Sequence, residues 1–261
     1  MTIIKFEGRW LPPADQFKKV CIEISKDLSN FKRNSIYSGF IGNDLRNEVT
    51  AIAFYEHIRG NYPYLLEKNL LNNFLINDRI GAPYIYNIDG VKISPGTLRF
   101  MRVLGDILNI DDEIKNIVEI GSGYGGQALI IKSYLTMVDY NLIDIPESMM
   151  VARSYLRENN CNVTFMDINN INSDNYYDLV ISDYCLSELD LDGIGFYIKN
   201  IIEKCKYGYF TVNSISDSVL FKELTEQLNS IFNDVSITEE VPKTSHHSNH
   251  IFICKDNKIL K

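Results

Sequence analysis

Residues 117–126 read Ile-Val-Glu-Ile-Gly-Ser-Gly-Tyr-Gly-Gly, and residues 141–147 read Asn-Leu-Ile-Asp-Ile-Pro-Glu. The first stretch is a short apolar run with a carboxylate, then a glycine loop, then a helical pattern. The second is another apolar run that ends on a second carboxylate, Asp144. Glycines let the backbone turn sharply and approach a ligand closely, while the following helix offers unpaired N–H groups. A carboxylate at the end of the next strand can accept both hydroxyls of a ribose. Two such strand ends predict a nucleoside-binding crevice.

Gly121, Gly123 and Gly126 satisfy G-x-G-x-x-G, and Asp144 lies near the ~20-residue offset of a ribose-binding acid. Glycine spacing alone therefore leaves a nicotinamide dinucleotide and another adenosyl ligand level. Glu119 helps to break the tie. With Gly121, Gly123 and Gly125 it resembles motif I, E/D-x-G-x-G-x-G, of the class I S-adenosylmethionine-dependent methyltransferases. The resemblance implies that Glu119 orders the loop and approaches the methionine end of the cofactor. A glycine-rich turn without a ligand is the bland alternative, weakened by the succession of strand, loop, helix and second acid.

The chain has 261 residues, enough for one large domain or a domain with a sizeable extension. Its 45% hydrophobic and 23% charged residues are ordinary for a globular protein. A formal charge of −8 argues against nucleic acid as substrate, since phosphate binding needs a basic surface. Five scattered cysteines (Cys21, Cys161, Cys185, Cys205 and Cys254) lack Cys-x-x-Cys spacing, which disfavours a zinc site or a disulfide framework. Met1–Trp10 carries charges and lacks a signal-peptide core, and no apolar run reaches the ~18 residues of a membrane span. These features point to a cytoplasmic chain.

Over the first hundred residues the patterns are helical and no strand-rich region is expected. Phe17, Val20, Cys21, Ile24, Leu28 and Phe31 predict an amphipathic helix over 14–31. Asp44 can cap a second helix, stopped by Gly60; Pro63 suits the start of a third, and Ser94-Pro95 the start of a fourth. Residues 1–110 read as a helical cap, a substrate-binding region fused to a catalytic core at 111–261. From residue 115 strands (116–120, 139–144, 162–166, 177–182, 207–212) alternate with helices (124–135, 147–159, 190–204, 216–230). Alternation of this kind predicts a doubly wound, mostly parallel α/β sheet of Rossmann-like type. Val235-Ser-Ile and Ile251-Phe-Ile-Cys254 have no helix between them and complete seven strands. That closing hairpin resembles the end of a class I methyltransferase sheet rather than a nicotinamide-binding half.

Ligands of open α/β sheets lie outside the carboxyl ends of the strands, so the strand ends supply the candidates. Ser122, Tyr124 and Ile145 extend the cofactor set around the glycine loop and Asp144. Met166 could pack on an adenine and Asp167 accept from its amine, against the alternative that Asp167 merely caps a turn. Ser182 and Asp183 run past the methionine part of the cofactor toward the acceptor, with Tyr184, Ser187 and Glu188 beyond them. Asn213 follows the fifth strand. Methyl transfer to an alcohol requires the alcohol to lose a proton as it attacks, a role suited to a group titrating near neutrality. His246 is the expected general base and His247 its rival, with Glu188 and Asn213 also on the acceptor side. His250 and His57 read as mainly structural. Some O-methyltransferases hold magnesium with an acid after strand four and an Asp-Asn pair after strand five. Asp183 and Asn213 fit two of these positions, but Val212 replaces the second acid, so no metal is expected.

Three stretches together are similar to the bacterial sugar O-methyltransferase family: Glu119–Gly126 with its tyrosine and doubled glycine, Asp144-Ile-Pro-Glu147, and Ser187-Glu188-Leu189. The likeness covers about residues 80–254. Ser122 departs from a frequent glycine, and Ile145 from a frequent leucine. The resemblance implies S-adenosylmethionine as cofactor, S-adenosylhomocysteine as product, and a sugar or nucleotide-sugar hydroxyl as acceptor in capsule or other surface polysaccharide assembly. A homo-oligomer is compatible with it. Tyr37, Phe40, Tyr62, Tyr64, Tyr84 and Tyr86 could stack on such an acceptor or equally belong to the core. The rivals are a nicotinamide-dependent oxidoreductase and a non-catalytic binding protein on the same fold.

Overall fold

The computed structural model describes residues 14–37, 47–111, 113–171, 175–213, 219–244 and 249–260. Its centre is a seven-stranded sheet: β3 (Asn116–Ile120), β4 (Asp139–Ile143), β5 (Thr164–Phe165), β6 (Tyr177–Asp183), β7 (Cys205–Asn213), β8 (Phe232–Glu239) and β9 (Asn249–Asn257). The spatial order is β5-β4-β3-β6-β7-β9-β8, parallel except for β9, which runs antiparallel to both β7 and β8. Numbered within the sheet this is 3-2-1-4-5-7-6, the Rossmann-like arrangement of class I methyltransferases, with strand order reversing beside β3.

Alternation along β3 explains the layering. Ile117 belongs to one buried cluster and Val118 and Ile120 to the other. Side chains of successive strand residues point to opposite faces, so both faces need cover. The Ile117 face is covered by α1 (Ala14–Ile24), α2 (Glu48–Asn61), α4 (Pro95–Leu108), α5 (Gly126–Tyr134) and α6 (Pro146–Glu158). The other face carries α7 (Leu191–Asn200) and α8 (Val219–Ile231). A short helix α3 (Lys68–Phe74) completes the amino-terminal part. Residues such as Phe54, Ile58, Leu98 and Met101 share one continuous cluster with Ile117 and Tyr140, so the amino-terminal helices finish the core of the sheet.

A buried polar network fastens this join. Arg102 on α4 donates to the Tyr209 hydroxyl (2.8 Å) and pairs with Asp106 (3.1 Å), which also accepts from Tyr209 (2.8 Å) and from Tyr62. Nearby, Asn77 Oδ1 accepts from the hydroxyls of Tyr155 (2.6 Å) and Tyr124 (3.4 Å), while its amide donates to Thr97 (2.8 Å). The Lys32 ammonium lies about 5 Å from the rings of both Tyr124 and Tyr155 and donates to the Asn77 carbonyl. The tyrosine of the glycine loop is thereby held by the amino-terminal part.

Three sequence expectations need correction. The first helix stops at Ile24 rather than 31, because the Asp27 carboxylate accepts from the Ser29 N–H and draws the backbone into a turn. Pro63 opens a 3₁₀ turn, Pro63–Leu66, and not the helix α3, which starts five residues later. The first hundred residues do contain strands: β1 (Tyr86–Ile88) and β2 (Val91–Ile93) form a hairpin whose Asp89-Gly90 turn has both φ angles positive. Asp-Gly is a preferred pair for such a two-residue loop. Among the described residues no helix is long and apolar enough to cross a membrane, and all five cysteines are free thiols.

Candidate active site

The loop after β3 is built from left-handed backbone. Gly121, Gly123 and Gly125 have φ of +80°, +54° and +82°, a region costly for residues with a Cβ. Gly121 also has no room for a side chain: a Cβ there would stand 2.3 Å from Cys185 Cβ. The 3₁₀ turn after β6, Cys185–Glu188, therefore sits directly against the glycine loop. Gly125 caps α5, so the helix opens just past the loop.

Asp144, at the end of β4, holds this loop in place. Its carboxylate accepts from the N–H of Gly123 (2.8 Å), the N–H of Ile145 (2.7 Å) and the Ser148 hydroxyl (3.0 Å). A carboxylate has about four lone-pair directions, so about one is left for a ligand hydroxyl. Burial raises Asp144 to about 6 against the three hydrogen bonds that lower it. Glu119 is only 3% exposed and accepts from the Tyr140 hydroxyl at 2.9 Å. Burial drives its pKa well above the usual carboxylate range, with the charges of Asp183 and Asp144 adding to the rise. Burial thus favours the neutral form of Glu119.

The end of β6 is the other wall. Ser182 is fully buried, and its hydroxyl has no partner among the described residues. Asp183 accepts from Thr211 Oγ1 (2.8 Å) through one oxygen; the other, Oδ2, is buried and unpartnered among the described residues. Tyr184 has φ +67°, and its hydroxyl meets Glu240 Oε1 (2.6 Å) and Thr244 Oγ1 (2.7 Å). Burial, with Asp144 adding repulsion, raises Glu188 to about 7.

Glu119, the glycine loop, Asp144, Asp183 and Glu188 are thus gathered at neighbouring ends of β3, β4 and β6, coupled through their charges. Ser122 is buried in the loop with a hydroxyl unpartnered among the described residues, Tyr124 faces the amino-terminal aromatics, and Ile145 caps α6. Met166 takes a hydrogen bond on sulfur from Tyr177 (3.5 Å) and packs with the second core, and Asp167 caps the turn Ile168–Asn170. Asn213 ends β7, where its N–H donates to Ser187 Oγ (3.1 Å). His246, His247 and Phe40 lie outside the described residues. His250 stands in β9 against Phe221, and His57 packs on Tyr62. Sequence reasoning missed Arg99, Glu240 and Thr244. Arg99 falls with Arg102 and Asp106 on the polar side of α4, where nothing in the pattern separates a buried guanidinium from a solvated one, and Glu240 follows a strand that is mostly polar and exposed.

No family model matches the chain, and no curated relative matches it. Among solved structures it is similar to TehB from Haemophilus influenzae (19% identity, TM-score 0.46, 59% of this chain and 62% of that one). It is also similar to Thermoplasma acidophilum 1320 (20% identity, TM-score 0.44, 62% of this chain and 89% of that one). A third is the magnesium protoporphyrin IX methyltransferase of Synechocystis PCC 6803, with bound SAM (15% identity, TM-score 0.48, 60% of this chain and 78% of that one).

Proposed function

We propose that the chain is an S-adenosylmethionine-dependent O-methyltransferase acting on a sugar hydroxyl, in a nucleotide-activated sugar or a glycoside of surface polysaccharide assembly. One observation carries the cofactor half of this reading. A loop of three left-handed glycines is fastened to Asp144 across adjoining strands, beside the reversal of strand order in a sheet with an antiparallel β9. The residues fit such a cofactor, because the buried Ser122 Oγ, Ser182 Oγ and Asp183 Oδ2 around the loop lack partners among the described residues. Buried polar atoms in folded proteins are almost always paired, so these three mark where a polar ligand belongs. The acceptor half rests on the sequence resemblance over residues 80–254.

When bound, S-adenosylmethionine supplies a methyl group activated on a sulfonium. The chain's own part is to orient and to move a proton. Asp144 fixes the loop and offers its remaining oxygen direction to a ribose hydroxyl. Glu188, raised to about 7, can take a proton from an attacking hydroxyl near neutral pH. Holding donor and acceptor in line supplies much of the acceleration. Incubation with the methyl donor and a panel of GDP-, UDP- and dTDP-sugars, read by mass spectrometry, tests the reading. A 14-dalton gain on one sugar supports it; no methylated product by a protein that binds the donor would overturn the enzymatic part.

A further inference from the structure

Arg99 belongs to none of the sequence motifs, yet it is a buried cation lying against Tyr184 at the end of β6. It lies on α4, is 8% exposed, and donates no hydrogen bond among the described residues; its Nε is fully buried without an acceptor. Its guanidinium rests against the rings of Phe100 (4.9 Å) and Tyr184 (5.5 Å). Burial disfavours its charge, but Tyr184, Asp183, Tyr124 and Glu240 outweigh that and keep it protonated. Leaving a buried charged donor without an acceptor is strongly unfavourable, so such a group calls for an acceptor that the described residues do not supply.

Asp183 is the complementary half. Arg99 packs on the ring of Tyr184, the residue after Asp183, and no ion pair joins the two charges among the described residues; burial raises the Asp183 pKa, and Arg99 is the first influence opposing that rise. Each is held apart by its own support. Thr211 fixes Asp183 Oδ1 at 2.8 Å, which leaves Oδ2 bare. Tyr184 is kept as a platform beneath the guanidinium by Glu240 and Thr244. A second free anion would add to a region that already holds Asp183 and Glu240, whereas a neutral zwitterion satisfies both bare groups at once.

We infer that Arg99 and Asp183 form a two-pronged clamp for an α-amino-acid zwitterion, the carboxylate on Arg99 and the ammonium on Asp183. The inference rests on the adenosyl reading above and assigns these residues to the amino-acid end of that ligand. S-adenosylhomocysteine carries this end, and 5′-methylthioadenosine lacks it, so their affinities separate the clamp from the adenosyl pocket. Wild type should prefer S-adenosylhomocysteine by roughly 100-fold, the scale of two charge-assisted contacts. Arg99→Met should lose roughly 10–100-fold for S-adenosylhomocysteine while 5′-methylthioadenosine stays within about 3-fold of wild type. Arg99→Lys should recover part of that loss, and Asp183→Asn should narrow the same preference. Retained 5′-methylthioadenosine binding certifies the fold of each variant. The clamp is overturned if Arg99→Met weakens both ligands equally or neither, or if wild type binds both equally. If wild type binds neither, the adenosyl reading itself fails and takes the clamp with it.

Discussion

Replacing Gly121 by alanine tests how tightly the turn after β6 is seated on the glycine loop. The new Cβ would lie 2.3 Å from Cys185 Cβ and 2.7 Å from its sulfur, on a backbone with φ +80°. The left-handed conformation costs alanine about 1–2 kcal/mol, and forced overpacking adds about 1–3 kcal/mol, so Gly121→Ala should destabilise by roughly 2–5 kcal/mol. The two parts can be separated. Cys185→Gly removes both atoms that would clash, at its own cost of about 1–2 kcal/mol in lost packing and added chain freedom. In that background Gly121→Ala should cost only the backbone part, about 1–2 kcal/mol, which leaves a coupling of about 1–3 kcal/mol between the sites. Urea unfolding of the four proteins, followed by circular dichroism with a common slope, measures it. A coupling below about 0.5 kcal/mol would refute direct seating of Cys185 on Gly121, since that is within ordinary additivity.

Other perturbations read other parts of the site. Burial favours the neutral form of Glu119, so Glu119→Gln should change stability by less than about 1 kcal/mol, whereas Glu119→Ala orphans the Tyr140 hydroxyl and should cost about 1–3 kcal/mol; equal losses in thermal unfolding would contradict this. Glu188 is raised from 4.5 to about 7, so its contribution is present below pH 4.5 and is lost as pH rises through about 7. Glu188→Gln should flatten that fall and be the more stable protein at pH 8; parallel stability profiles would contradict the burial of this carboxyl. Asn77→Ala removes the acceptor shared by the buried hydroxyls of Tyr155 and Tyr124 and the donor to Thr97, while Tyr155 keeps the backbone carbonyl of residue 77 (3.2 Å) and Thr97 keeps Asp78 (2.7 Å); it should cost about 1–3 kcal/mol in denaturant unfolding, more than Tyr155→Phe at about 1 kcal/mol. A smaller loss for Asn77→Ala than for Tyr155→Phe would show that these groups do not act as one network.

Much of this architecture is legible along the chain for a physical reason. Strands covered on both faces need adjacent apolar residues, as in Ile117-Val118, Leu142-Ile143, Leu179-Val180-Ile181 and Tyr209-Phe210, so β3, β4, β6 and β7 stand out as short runs between helical patterns. Left-handed turns demand glycine, so the loop at 121–125 declares itself and its neighbouring acids with it. The terminal pair β8–β9 is visible because no helix separates its strands. What escaped notice depends on contacts between distant segments. Asp144 was readable as a site acid, but its use in fastening Gly123 follows from the register of β3 beside β4. Arg99 and Lys32 look like ordinary charges on helical or polar stretches, and only packing reveals the rings around them. The hairpin Tyr86–Ile93 had a local signal in Asp89-Gly90, but its three-residue strands are too short for alternation to register.

The central claim is that adjoining ends of β3 and β4 hold an adenosyl methyl donor and not a dinucleotide. Calorimetric titration of the intact chain with S-adenosylhomocysteine and, separately, with NADH measures this directly. Saturable heat from S-adenosylhomocysteine in the micromolar range, with none from NADH, is the result predicted. Saturable heat from NADH alone, or from neither ligand, would contradict it.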